Sequence, residues 1–244
     1  MGTNYETGHH KNVANFADLI AFVTNLGAAY NPSRNELSPA SLLALQTSAA
    51  DSLTQVNTAL PTWQVAVNSR EQTFEPLSKL TTRVLNALSV SSGVDNLVVA
   101  DATTIARKIQ GRRASPKKVD DSNPDKETEK SISASQMSFD SRIENFDKFV
   151  KFIEAQPTYK PNETDLNKTG LNSLLTDLRE KNNSVINSYV SLSNRRIERD
   201  EILYNEKTGL LKIAADVKKY VKSVFGTDAP QYKQISKLKF TRPR

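Results

Sequence analysis

Apolar residues recur along this chain at three- and four-residue spacing, and they do so twice in the same order. Phe16, Leu19, Ile20 and Val23 form one stripe, and Phe146, Phe149, Val150 and Ile153 form another. At 3.6 residues per turn each set falls on one face of a helix. A second helix is predicted after each, with Leu42, Leu45, Ala49, Leu53 and Val56 on its apolar face in the first case and Leu171, Leu174, Leu178 and Val185 in the second. A third carries Leu80, Val84 and Leu88, paralleled by Ile213, Val217 and Val221. Loops with Asn31-Pro32 and Lys160-Pro161 separate the first two helices. Ser38-Pro39 reads as an N-cap followed by proline in the first turn, and Asn167 as the corresponding cap. Gly93 and Gly226 are expected just beyond the third helices, with Asp95 or Asp228 capping a short fourth helix and Pro230 in its first turn. Pro61 and Pro76 are expected to break or kink the first copy's second helix, leaving its counterpart free to run further. No sustained two-residue alternation rich in β-branched residues is present, so the fold class is all-α.

The parallel extends beyond helix periodicity. Asn15, Phe16, Leu19 and Phe22 match Asn145, Phe146, Phe149 and Phe152 at an offset of 130, and Tyr30, Pro32, Leu37, Leu42, Val56 and Arg70 match Tyr159, Pro161, Leu166, Leu171, Val185 and Arg199 at 129. After a small insertion near 200–209, Leu77, Val84, Gly93 and Asp95 face Leu210, Val217, Gly226 and Asp228. Amphipathic helices match one another in apolar spacing, but loop landmarks such as Tyr-x-Pro and Gly-x-Asp do not recur for that reason. The sequence therefore predicts an internal duplication: two tandem homologous helical bundles of about four helices each, in residues 1–113 and 139–244, joined by a polar linker at 114–138. The period is too long for short-repeat solenoids. In the linker only Val119, Ile132 and Met137 are large and apolar, too little to hold a fold of its own.

Composition removes several chemistries. Among 244 residues there is no cysteine, which excludes disulfides, thiolate catalysis and cysteine zinc sites together. The opening MGTNYETGHHKN has no basic segment followed by an apolar one, and no apolar run approaches the roughly 18 residues of a membrane span. The expectation is a cytoplasmic protein with no membrane partner. His9 and His10 are the only histidines and read as solvated residues ahead of the first helix. Neither Glu-x-x-His pairs nor His-Glu-x-x-His occurs, and a Ser-His-Asp triad would have to recruit a terminal histidine. The eight glycines build neither G-x-G-x-x-G nor G-x-x-x-x-G-K-[ST]. No enzyme, no metal and no cofactor is expected. Trp63, among Leu60, Val65 and Val67, reads as a core or helix-packing residue.

Charge supplies the one positive signal. The net charge is +6, yet Ala102 to Val119 holds Arg107, Lys108, Arg112, Arg113, Lys117 and Lys118 with no acid, and the stretch from Ala229 holds Lys233, Lys237, Lys239, Arg242 and Arg244, again with none. Both segments end a predicted repeat. Clustered cations neutralise phosphates and release condensed counterions, so Arg107, Lys108, Arg112, Arg113, Lys117, Lys118, Lys237, Lys239, Arg242 and Arg244 are the candidate nucleic-acid-binding residues. Tyr232 and Phe240 are candidate stacking partners for bases. The expected partner is RNA, DNA or the ribosome. The alternative is a structural, self-assembling helical protein, a homo-oligomer forming a filament, ring or lattice through its two similar units, or a protein-interaction scaffold.

The segments GHHKNVANF, GRRASPKK, SASQMSFDSRIENFDKF and QYKQISKLKF resemble an uncharacterised family of hypothetical duplicated α-helical proteins common in Bacteroidota. The resemblance covers the whole chain. It implies a bacterial cytoplasmic origin and brings no functional residues with it.

Overall fold

The computed structural model describes residues 4–111 and 137–242. Among them are eight α-helices, two single 3-10 turns and no strand: α1 (Asn4–Asn25), α2 (Pro39–Phe74), α3 (Leu77–Ser89), α4 (Asn96–Gln110), α5 (Phe139–Glu154), α6 (Lys168–Tyr204), α7 (Leu210–Phe225) and α8 (Pro230–Ser236). None of the described helices is long and apolar enough to cross a membrane.

Capping sets the helix starts. Ser38 Oγ accepts from the Ser41 N–H at 3.3 Å ahead of α2, and Asn167 Oδ1 accepts from the Gly170 N–H at 2.8 Å ahead of α6. Asp95 does the same for Leu97 in α4. Asp228 does not cap α8; Ala229 stands at that position, and Pro230 opens the helix. Gly226 follows α7 at φ 86°, whereas α3 closes on Val90 and Gly93, at φ 74°, turns the chain three residues later.

Pro61 neither breaks nor ends α2, which is 36 residues long and matches the 37 of α6. An interior proline forfeits one backbone hydrogen bond at a cost of about 3 kcal/mol. The ring sits at an exposed position, and the buried Val56 and Ala66 hold the helix on either side of it. Pro76 does stop the chain: it occupies the N-cap of α3. The long helices bury a seven-residue recurrence, Leu42, Ala49 and Val56 in α2 and Leu171, Leu178, Val185 and Leu192 in α6. That spacing keeps one seam facing a partner along a long helix.

The described residues fall into two compact units, one formed by Met1–Trp63 with Ser188–Arg244 and the other by Gln64–Asn187. The copies anticipated at 1–113 and 139–244 are therefore each divided, the cut falling inside α2 and inside α6. In unit 1 the core joins Phe16, Leu19 and Val23 of α1 and Leu42 of α2 to Leu210, Val217 and Val221 of α7 and Ile235 of α8. In unit 2 it joins Phe74, Leu77, Val84 and Leu88 to Ile109 of α4, Phe146 and Ile153 of α5 and Leu171 of α6. Each core is closed by the same device. The Tyr30 hydroxyl donates to Leu37 O at 2.7 Å in unit 1, and the Tyr159 hydroxyl donates to Leu166 O at 2.8 Å in unit 2.

Most of the anticipated linker lies outside the described residues; Gly111 ahead of it and Met137 near its end are both in unit 2 and touch. Gly111 terminates α4 at φ 66°, a left-handed conformation, and a Cβ there would stand 2.6 Å from the Met137 sulfur. Ser138 then caps α5 by accepting from the Ser141 N–H at 3.1 Å.

Candidate nucleic-acid interface

The basic character of unit 1 begins on α7. Its apolar stripe, Leu210, Ile213, Ala214, Val217 and Val221, is buried, which leaves Lys212, Lys218, Lys219 and Lys222 on the remaining faces. Lys212 is occupied by Asp216 at 2.7 Å. Lys219 and Lys222 are exposed. Lys222 lies 5.8 Å from the Tyr232 ring centroid, so that tyrosine is engaged by a cation.

Beyond α8 the chain runs out along α1. The Asn15 amide donates to Lys239 O at 2.6 Å, and Asn12 grips Thr241 at both backbone groups, donating to its O at 2.7 Å and accepting from its N–H at 3.0 Å. The Lys218 ammonium donates to Leu238 O and stands 5.1 Å from the Phe240 ring; burial pushes its pKa down. Side chains alternate along an extended segment. Here Leu238 and Phe240 turn onto the core, Phe240 edge-on to Phe16 at 6.5 Å, and Lys239 between them faces outward; Lys237 at the end of α8 and Arg242 beyond Thr241 are exposed as well. Phe240 is partly buried and packs against the core, with Phe16 and the Lys218 ammonium beside its ring.

Of the other candidates, Arg107 and Lys108 occupy the last turn of α4 in unit 2, Lys108 exposed and Arg107 half-buried, where cations complement the helix dipole. Arg112, Arg113, Lys117, Lys118 and Arg244 lie outside the described residues. The structure thus sets Lys237 and Lys239 beyond α8 in the same unit as α7, sets Arg242 beside Tyr204 at the end of α6 with Asp200, Glu201 and Glu206 around it, and places Arg107 and Lys108 in a different unit. Sequence reasoning passed over Lys218, Lys219 and Lys222. Their signal was present as the spacing KKYVK opposite a clean apolar stripe.

His9 overturns the reading of a solvated arm. It lies within α1, is buried, and its Nδ1 is 2.6 Å from the Tyr204 hydroxyl, to which Asn12 also donates at 3.2 Å. Arg242 stands 5.4 Å from the same tyrosine ring. This cluster holds α1, the end of α6 and the basic tail in one polar network. His10 is exposed and within 3.4 Å of Asn57. Trp63 is half-buried against Tyr189 at 6.1 Å, a helix-packing residue as its surroundings implied. Among the described residues no group of three or more His, Asp or Glu is placed to hold a metal ion. Comparisons with family models, with curated proteins and with solved structures give no match.

Proposed function

We propose that this chain is a non-enzymatic binding protein that engages the phosphates of RNA or DNA, free or in a ribosome, through the outer faces of α7 and the C-terminal tail. The observation that carries the reading is charge placement. Residues 209–242 hold eight lysines and arginines against Asp216 and Asp228, and Lys219, Lys222, Lys237, Lys239 and Arg242 are exposed. Anchoring of the tail backbone at Lys239 and Thr241 by Asn15 and Asn12 holds that segment in place before a ligand arrives, which lowers the ordering cost of binding. Phosphate contacts position a protein without reading bases, so sequence preference is weak.

Titration of labelled RNA and DNA tests this. With about six phosphates neutralised, affinity falls roughly 10³-fold between 50 and 200 mM salt. Replacing Lys219, Lys222, Lys237 and Lys239 by Gln weakens binding to all sequences alike and flattens the salt slope. Arg107→Gln with Lys108→Gln, in the other unit, has the smaller effect. Absence of binding to either nucleic acid at 50 mM salt sinks the reading. The second reading, self-assembly, rests on the exposed Tyr189, Val190 and Ile197 of α6 in unit 1, and predicts large particles free of nucleic acid.

The same correspondences favour an internal duplication. Phe16 and Phe146, Leu42 and Leu171, and Tyr30 and Tyr159 hold like positions in like elements, and Gly93 and Gly226 both take positive φ. Superposition of α1–α4 on α5–α8, half by half, tests it; those pairs falling on different faces removes it.

A further inference from the structure

The segment that follows α8 lies in unit 1 as a ligand lies in a groove, with α1 on one side and α7 on the other. Asn12 and Asn15 of α1 are 1% and 5% exposed. Amides buried that deeply are costly unless they are bonded. The partners supplied here are main-chain groups: Asn15 donates to Lys239 O, and Asn12 donates to Thr241 O and accepts from the Thr241 N–H. The spacings agree. Residues three apart on a helix stand about 5–6 Å apart at Cβ, close to the roughly 6.5 Å between alternate residues of an extended chain, whose main-chain groups turn the same way. Leu238, out of phase with that pair, offers its carbonyl to the Lys218 ammonium of α7. Side-chain chemistry enters through Leu238 and Phe240, which pack onto the core. The groove therefore reads an extended backbone and two apolar side chains.

What decides whose groove receives the segment is the junction ahead of α8. Helix α7 ends at Gly226 with φ 86°, residues 226–228 are exposed, and α8 begins without a side-chain cap. Every bond into the groove forms identically with the same segment of another molecule. The self-docked and exchanged arrangements thus differ only in the junction and in the entropy of association. A short tether holds its segment at an effective concentration of about millimolar, so self-docking prevails in dilute solution and exchange gains as the protein is concentrated or the junction shortened.

Resting on the self-assembly reading, we infer that the groove between α1 and α7 is an interaction site for residues 238–242 of a second copy of this chain, reached by exchange of α8 and the segment after it about the junction at 226–229. The exposed face of α6 takes no part. Reciprocal exchange closes a dimer, and exchange in one direction propagates a row of copies.

The wild-type chain, refolded from urea at rising concentration, should give a growing share of species at twice its 27.1 kDa or higher multiples, read by light scattering after size exclusion. Deleting Thr227 and Asp228 shortens the reach of the junction by about 7 Å and should convert most of the protein to such species where the wild type is monomeric. Phe240→Asp in either background should restore the monomer with helicity kept. That variant should then bind a fluorescent peptide of residues 236–242 one to one, and at least tenfold more weakly when the peptide carries the same substitution. If Phe240→Asp loses helicity, Asn12→Ala with Asn15→Ala removes the bonds from the groove side and should abolish the multimers equally. No peptide binding by the folded Phe240→Asp chain overturns the groove as a docking site. Peptide binding without multimers, from refolding or from the shortened junction, overturns the exchange. Multimers that persist in the Phe240→Asp background overturn it too, while leaving self-assembly through another face standing.

Discussion

The same junction is built in two different chemistries. In both units the N-terminal part of a helix lies against the last residue of a long helix: His9 of α1 against Tyr204 in unit 1, Phe139 of α5 against Phe74 in unit 2. Unit 1 makes the joint polar, with His9 and Asn12 on the tyrosine hydroxyl and the tail bound to Asn12. Unit 2 makes it aromatic. Phe74 and Phe139 meet edge to face at 4.9 Å, with the Arg70 guanidinium 3.8 Å from the Phe139 ring and Arg142 5.1 Å from Phe74. The Arg142 guanidinium also donates to Phe74 O at 3.0 Å, and its burial pushes its pKa down. The aromatic joint secures apolar area and holds helices alone. The polar joint also uses the Asn12 amide to bind an extra segment, and that segment is the basic one.

The comparison breaks most readily at Phe74. The side chain is 1% exposed, and Phe74→Ala removes it from the core as well as from the stack, at a cost of about 3–5 kcal/mol. Urea unfolding followed by hydrogen exchange should place that loss in α3 and α5; equal loss in α1 and α7 would erase the distinction between the units. Asn12→Ala comes next, at about 1–3 kcal/mol, because it removes the bonds that a buried amide makes to the Tyr204 hydroxyl and to both Thr241 backbone groups. Exchange of the Thr241 amide should accelerate with α3 to α5 unchanged.

Alkaline pH sharpens what the units share. Burial raises Tyr30 to about 12, with Tyr220 adding to it, and raises Tyr159 to about 12, with Glu163 and Asp165 adding to it. The unfolded chain ionises near 10.0, so both hydroxyls contribute fully below that pH and the contribution is lost as pH rises through 12. A tyrosine absorbance titration should show late groups, one removed by Tyr30→Phe and another by Tyr159→Phe, with Tyr204 also raised by its burial. The smallest effect is expected at the exposed bridge between Arg83 and Asp165 in unit 2, where Arg83→Ala should cost about 0–1 kcal/mol in urea unfolding of the intact chain.

Much of the fold was legible in the sequence. The stripes led by Phe16 and Phe146 fixed α1 and α5, and Ser38, Asp95 and Asn167 were identified as caps because their side chains satisfy specific N–H groups. Periodicity shows which face of a helix is buried and is silent about which helix covers it. That is why α1 was grouped with α3, whereas its core partner is α7. Pro61 does not break α2 because local propensity yields to burial on both flanks of the ring. His9 looked solvated because nothing near it in sequence announces Tyr204, 195 residues away. Charge runs located the basic tail but not its anchoring, and they missed the α7 lysines because Asp216 and Asp228 interrupt the run.

The contact between Gly111 and Met137 changes what residues 112–136 have to do. A connector between separated bodies acts as a ruler, and shortening it strains whatever it joins. A stretch that departs and returns at one point measures nothing. The packing of α4 against α5 is set by the described residues on either side of it. The position between Gly111 and Met137 is therefore a natural port for inserting a fluorescent protein, an affinity tag or a second binding domain, since the helices on either side already meet without it.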